Sequence, residues 1–219
     1  MNLLAFDTST ERASIAVSNG SLLFTDEIVG VRSHAQQILV VIDQLMQQAQ
    51  LTWPELDGII FGQGPGSFTG LRVACSVAKG LAFAHDCPVY PVGSLATIRA
   101  AALAQPQNFD TSLACLVMMD ARMQQVYWAY FSDKSATPQP QVNAVEDIVI
   151  PGQESIGLIG CGWESYRSQL SSNIQQRILG AQVIYPDAAT MIQLVKTGKV
   201  KAVSAQEASP LYIRDQVTQ

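Results

Sequence analysis

The chain opens on an apolar run, Leu3–Phe6, that stops at Asp7. A short continuous apolar run bounded by polar residues predicts a buried strand. Thr8–Arg12 is polar and predicts a turn, and Ala13–Val17 reads as a second strand. Asn19-Gly20 is a hairpin signal, because both residues tolerate the positive φ of a tight turn, so a third strand is expected over Leu22–Val29. Ser33 reads as a helix N-cap. After it Ala35, Ile38, Leu39, Ile42, Leu45, Met46 and Ala49 recur at helical spacing, while Val40 and Val41 widen the apolar arc. Leu56–Phe61 predicts a strand that runs into Gly62-Gln63-Gly64-Pro65-Gly66. A helix over Ser67–His85, a short strand over Val89–Val92 and a helix from Ser94 to about Ala104 follow.

The second half repeats this grammar. Pro106–Asp110 reads as a linker, and Leu113–Met119 is an apolar strand ending in Asp120, as the first ended in Asp7. Val126–Phe131 is its hairpin partner, and Pro138–Gln141 reads as an exposed loop. Ile156–Ile159 leads into Gly160-Cys161-Gly162 as Ile59–Phe61 leads into the earlier glycines. Helices are expected over Glu164–Ile178 and Ala188–Thr197. The repeat lies in architecture, not residue identity. Two such units facing each other describe an α/β fold of duplicated actin-like lobes (ASKHA, RNase H-like) with mixed sheets. The expected lobes are 1–105 and 106–219, with the last segment packing back on the first.

Composition narrows the function. The chain has 219 residues, 48% of them apolar and 14% charged, which suits a compact fold and not a disordered tail. With 13 Lys and Arg, no basic run and a net charge of −5, it lacks the basic face of a free-standing nucleic-acid binder. No leader of signal-peptide type opens the sequence, and no apolar run reaches the roughly 20 residues of a membrane span. A cytoplasmic location without membrane contact is therefore expected. Cys75, Cys87, Cys115 and Cys161 are scattered and read as buried free thiols.

Three features carry candidate chemistry. Gly64-Pro65-Gly66-Ser67-Phe68-Thr69-Gly70-Leu71-Arg72 enters a helix, and a helix N-terminus offers N–H groups to a phosphate; a tight turn packed between strand and helix needs the same glycines. Asp7 and Asp120 end equivalent strands, where such carboxylates sit near metal-bound phosphate, or else cap their own turns. The candidate nucleotide site is thus Asp7, Gly64, Gly66, Ser67 and Asp120. The two histidines, His34 and His85, have no partner at metal-ligand spacing, and neither an HExxH helix, a GxSxG elbow nor a complete P-loop occurs. No metal site is expected, and His34 reads as a surface or interface residue. Finally, the helix from Ser67 is apolar nearly all round, with one stripe of Leu71, Cys75, Ala78 and Ala82 and another of Val73, Val77, Leu81 and Ala84. Such a helix is either sandwiched inside the monomer or covered by another subunit. The expected interface comprises His34, Ile38, Val41, Ile42, Leu45, Leu71, Cys75, Ala78 and Ala82.

Four segments, Asp7-Thr8-Ser9, Gly64–Arg72, Asp120-Ala121-Arg122 and Pro210-Leu211-Tyr212-Ile213-Arg214, resemble the TsaB family in sequence and order, over nearly the whole chain. Ala74, where glycine is commoner, and Met123-Gln124-Gln125 depart from that pattern. The related TsaD-type enzymes carry two metal-binding histidines on the helix after the fifth strand; Ser94 and Ile98 align with them here, and Ile98 has no ligand atom. The resemblance implies a non-catalytic subunit of tRNA N6-threonylcarbamoyladenosine modification, paired with a TsaD-type transferase and a TsaE-type ATPase. It implies tRNA contact only through that complex, a homodimer when alone, and no required cofactor, with ATP or ADP expected only at a shared interface. Rival readings are a nucleotide-hydrolysing enzyme of the same fold and, behind it, a metalloprotease.

Overall fold

The structure, a computed structural model, describes residues 1–105, 110–133 and 136–213. Pro106–Phe109 of the expected linker and Arg214 of the last matching segment lie outside the described residues. The first stretch contains β1 (Leu3–Asp7), β2 (Arg12–Asn19), β3 (Leu22–Val29), α1 (Val31–Gln48), β4 (Gly58–Gly64), α2 (Phe68–His85), β5 (Val89–Gly93) and α3 (Ser94–Leu103). There follow β6 (Ala114–Asp120), β7 (Gln125–Phe131), β8 (Gln141–Ala144), β9 (Ile156–Cys161), α4 (Ser172–Arg177), β10 (Ile178–Val183) and α5 (Ala188–Lys196).

The contacts separate into two units, Met1–Thr97 with Pro186–Leu211, and Ile98–Tyr185 with Tyr212 onward. In the first, the sheet order is β3-β2-β1-β4-β5. Central β1 runs antiparallel to β2 and parallel to β4, pairing Phe6 with Ile15 on one side and Phe61 on the other. Every residue of β1 is buried, which is why its apolar run is continuous. One face of the sheet packs Leu4, Phe6, Ile15, Ile59 and Phe61 against Ile38, Ile42 and Leu45 of α1 and Ala74, Ala78 and Ala82 of α2. The other face packs Leu3, Ala5, Ala16 and Ile60 against Ala188, Met191, Ile192 and Val195 of α5. Asp187 caps α5 by accepting from the Thr190 amide at 2.7 Å.

In the second unit the order is β10-β9-β6-β7-β8. Read from β8, this is the first order over again: an antiparallel meander ending on a central strand, then two parallel strands. Its core joins Leu116, Met118, Trp128 and Leu158 to Trp163, Leu170 and Ile174.

Several expectations shift. The division falls between Thr97 and Ile98 inside α3 instead of at 105/106, because one continuous helix carries the chain from unit to unit. α1 is capped at Gly30, whose φ of 99° suits glycine; the Ser33 amide donates to the Gly30 carbonyl at 2.9 Å, so Ser33 lies inside the helix. Glu164–Ile178 is not one helix. A 3-10 turn at Arg167–Gln169 breaks off, Ser171 starts α4 by accepting from the Ile174 amide, and Ile178 already belongs to β10. The loop ending at Gln141 continues as β8.

Candidate functional site

Asp7 ends β1 with its side chain 1% exposed. Its Oδ1 accepts from the Ser9 amide at 2.7 Å and the Ser9 hydroxyl at 2.6 Å, and its Oδ2 accepts from the Ser94 hydroxyl at 3.3 Å. Burial pushes the carboxyl above its ordinary range; these hydrogen bonds pull the other way and nearby Asp187 adds to the rise. The turn after Asp7 lies directly on the start of α2. The Ser67 amide donates to the Ser9 carbonyl at 2.7 Å, the Thr8 hydroxyl to the Gly70 carbonyl at 2.6 Å, and the Ser67 hydroxyl accepts from the Gly70 amide at 3.3 Å.

This packing accounts for the glycines. A Cβ on Gly62 would overlap the Asp7 carboxylate, one on Gly66 would lie 2.5 Å from Ser9 Cβ, and one on Gly70 would overlap the Thr8 carbonyl. At Gly64 it would meet Leu71 at 2.9 Å and the Leu211 carbonyl at 3.1 Å, and φ there is +114°. The first turn of α2 therefore spends the Ser67 and Gly70 amides on the protein itself. The structure gathers Asp7, Gly64, Gly66 and Ser67 into one site in the first unit.

Asp120 belongs to the second unit and behaves as Asp7 does. Its Oδ1 accepts from the Arg122 amide at 2.8 Å and the Tyr166 hydroxyl at 2.9 Å, and Oδ2 faces Arg122 Nη1 at 3.1 Å. It thereby holds a turn in which Arg122, Met123 and Gln124 all have left-handed φ, of 62°, 54° and 60°. Burial, then Asp120, pushes the Tyr166 phenol upward.

The helical candidates need correction. His34 is not a surface residue: it is 1% exposed, and neither ring nitrogen has a hydrogen-bond partner. Ile38, Ile42, Leu45, Leu71, Cys75, Ala78 and Ala82 are buried in their own protomer, and Val41 is half-buried against the same core. The sheet, not a partner, covers that stripe. What remains outside on α1 is Leu39, 53% exposed, and Val40, 57% exposed. On α2 it is Phe83, 80% exposed, and Phe68, 42% exposed, with half-buried Val73, Val77 and Leu81. The sequence signal for this face was the second stripe of α2. Ser94 and Ile98 are fully buried, the first bound to Asp7. Lys79, missed in the sequence, donates to the carbonyls of Gln206 and Ala208, each at 3.1 Å, and so ties the returning segment to α2.

Two copies of one sheet order, each with an aspartate closing its first strand, define a duplicated actin-like fold. The family model described as TsaD, tRNA N6-adenosine threonylcarbamoyltransferase, matches residues 27–209. The tRNA threonylcarbamoyladenosine biosynthesis protein TsaB of Haemophilus influenzae is 30% identical over 242 residues, spanning 100% of this chain and 95% of that one. The Escherichia coli protein of the same name is 29% identical, spanning 99% and 96%. The solved structure of YeaZ from Pseudomonas aeruginosa superposes with a TM-score of 0.85 at 30% identity, covering 96% of this chain and 99% of that one. The chain belongs to the TsaB family.

Proposed function

We propose that this chain serves threonylcarbamoyladenosine biosynthesis in tRNA as a supporting subunit without chemistry of its own. Family membership supports the pathway. The observation that carries the non-catalytic part is the closed state of the Asp7 site. Its carboxylate is buried and bound by Ser9 and Ser94, the neighbouring helix start is bound by Ser9 and Ser67, and Ile98 offers no ligand atom. A reactive site needs such groups free to engage substrate.

The partner of this reading is a TsaD-type transferase, with a TsaE-type ATPase joining the assembly in the cytoplasm. Docking uses the outer face of α1 and α2, through Leu39, Val40 and Phe83. A Cβ on Gly80 would meet nothing within 4 Å, so packing within the protomer does not require this mid-helix glycine; close approach of a partner helix does. The same face forms a homodimer when the partner is absent. tRNA meets this subunit only through the complex, which suits a net charge of −5. ATP or ADP, where present, belongs at the shared interface.

The test is reconstitution of tRNA modification from purified components with and without this chain. Modification should require it, and the Val40→Glu/Phe83→Glu double variant should fail to support it because association is blocked. Full modification without the chain would overturn the reading. So would tight binding and turnover of Mg-ATP by the isolated chain, which would restore the nucleotide-hydrolysing alternative.

A further inference from the structure

We infer that Lys196, Lys199 and Lys201 form a phosphate-binding patch that grips the backbone of RNA already held by the assembled complex. The choice of RNA rests on the pathway proposed above. Three of the chain's five lysines stand in this short segment, separated only by Thr197, Gly198 and Val200. No Asp or Glu lies between Asp187 and Glu207, in a chain whose net charge is −5. All three lysines are exposed, and no ion pair among the described residues takes any of them. The flanking carboxylates are engaged elsewhere. Asp187 accepts from the Thr190 amide at the far end of α5, and Glu207 accepts from the Ser204 amide at 2.9 Å and its hydroxyl at 2.8 Å.

The sheet of the first unit places the patch. Lys196 ends α5, and its Nζ donates to the carbonyl of Gly20, in the turn between β2 and β3, at 3.0 Å. Gly198, with φ of 75°, turns the chain beyond the helix, and Val203 then bridges Val89, the first residue of β5. The lysines therefore stand where β1, β4 and β5 begin, whereas Asp7 and Gly64 stand where β1 and β4 end. The nearby Asp57 carboxylate accepts from the Asn2 amide at 2.7 Å, and Glu55 from the Thr52 amide at 2.8 Å. α5 covers one face of this sheet and α1 and α2 the other, so a partner seated on Val40 and Phe83 leaves the lysines open. The dipole of α5 favours a cation in its last turn, which accounts for Lys196; Lys199 and Lys201 lie past that turn and need another reason. Residues 196–202 hold no aromatic ring to stack on a base, so the patch reads phosphates and not sequence. Three charges on an acidic chain do not recruit RNA alone. They count once the transferase holds the RNA beside them at high effective concentration.

The experiment is a fluorescence-anisotropy titration of an unmodified tRNA transcript with the purified full chain over a salt series that starts low, where screening is weakest. The chains compared are wild type, the Lys196→Gln/Lys199→Gln/Lys201→Gln triple variant, the Lys199→Gln/Lys201→Gln double variant and Arg167→Gln. The double variant keeps the Lys196 bond to Gly20, so it carries the comparison should the triple variant fail to fold. Wild type should bind at low salt, with log K falling linearly against log salt. Each phosphate contact contributes about 0.7–0.9 to that slope, so the triple variant should bind more weakly, with a slope shallower by about 2–3, and the double variant should show most of that change. Arg167→Gln removes an exposed charge from the second unit and should leave the slope as it is. Poly-glutamate of equal total charge should displace the tRNA poorly, because its lower charge density releases fewer counterions. The inference is overturned if wild type fails to bind at the lowest salt, if the lysine variants keep the wild-type slope, if Arg167→Gln loses as much slope per charge, or if poly-glutamate competes as well as RNA. Binding by the isolated chain is read apart from reconstitution: a chain dispensable for modification fails the proposed function whether or not its lysines hold tRNA.

Discussion

The same substitution, glycine to alanine, at two positions of α2 has opposite effects on stability if the glycine-rich segment is a packing device. At Gly70 the new Cβ overlaps the Thr8 carbonyl, a backbone atom that is itself fixed because the Thr8 hydroxyl donates to the Gly70 carbonyl and Ser9 accepts from Ser67. Relief requires the β1–β2 turn to lift from the helix. Overpacking of this kind costs about 1–3 kcal/mol. Loss of the two turn-to-helix hydrogen bonds adds roughly 1 kcal/mol each. Alanine's better helix propensity returns at most about 1 kcal/mol. The expected net loss is on the order of 2–4 kcal/mol, or a melting temperature lower by roughly 5–10 °C for a chain of this size. At Gly80 the Cβ enters open space, so only the propensity gain survives, about 0.5–1 kcal/mol and a rise of roughly 2–3 °C. Circular-dichroism melts and urea titrations of the purified variants measure both. A Gly70→Ala variant that melts with the parent would refute the packing account and return the segment to an open anion cradle.

Other outcomes follow from the same contacts. Asp7 has a folded-state carboxyl raised above its unfolded value, so its contribution is most favourable below the unfolded value and is lost as pH rises through the folded one. Asp7→Asn, which keeps an acceptor for Ser9 and offers a donor to Ser94, should gain on wild type as pH rises from about 3.5 to 8 in pH-resolved denaturation; a variant that loses ground over that range contradicts the direction. Val40→Glu and Phe83→Glu leave the monomer's stability within about 0.5 kcal/mol while abolishing association measured by light scattering or pull-down. Ile42→Glu, by contrast, places a charge in the core and unfolds the chain. Lys79→Met releases two charge-assisted hydrogen bonds to Gln206 and Ala208, at a cost of roughly 2–4 kcal/mol, and should speed proteolysis within residues 201–210 before the rest of the chain is cut.

Much of the fold is legible from the residues, because strand–Asp and strand–glycine boundaries recur in both halves, the runs of β1 and β6 are continuously apolar, and Asn19-Gly20 marks the hairpin between β2 and β3. The sequence is ambiguous where two packings need the same residue type. Glycine permits both a phosphate and a carbonyl to approach a backbone closely, so Gly66 and Gly70 become decisive only once Ser9 and Thr8 are seen against them. A helix apolar on nearly every side does not reveal which stripe meets the sheet. Leu71, Cys75, Ala78 and Ala82 therefore looked like an interface, although they form the core and leave Phe83 outside. β10 is hidden because the preceding segment has helical spacing, while the cap at Ser171 starts a helix of only six residues that ends where the strand begins.

The return of residues 186–211 to the first unit also sets an order of events during synthesis. The inner face of the first sheet, with Leu3, Ala5, Ala16 and Ile60, is complete once β5 has been made, yet its cover is α5. The chain emerges from its N-terminus, so those side chains wait through the making of the whole second unit before Met191, Ile192 and Val195 arrive. Throughout that interval the half-made protein presents an apolar sheet surface that the finished one never shows, and it is in this nascent form that the chain has most need of a chaperone.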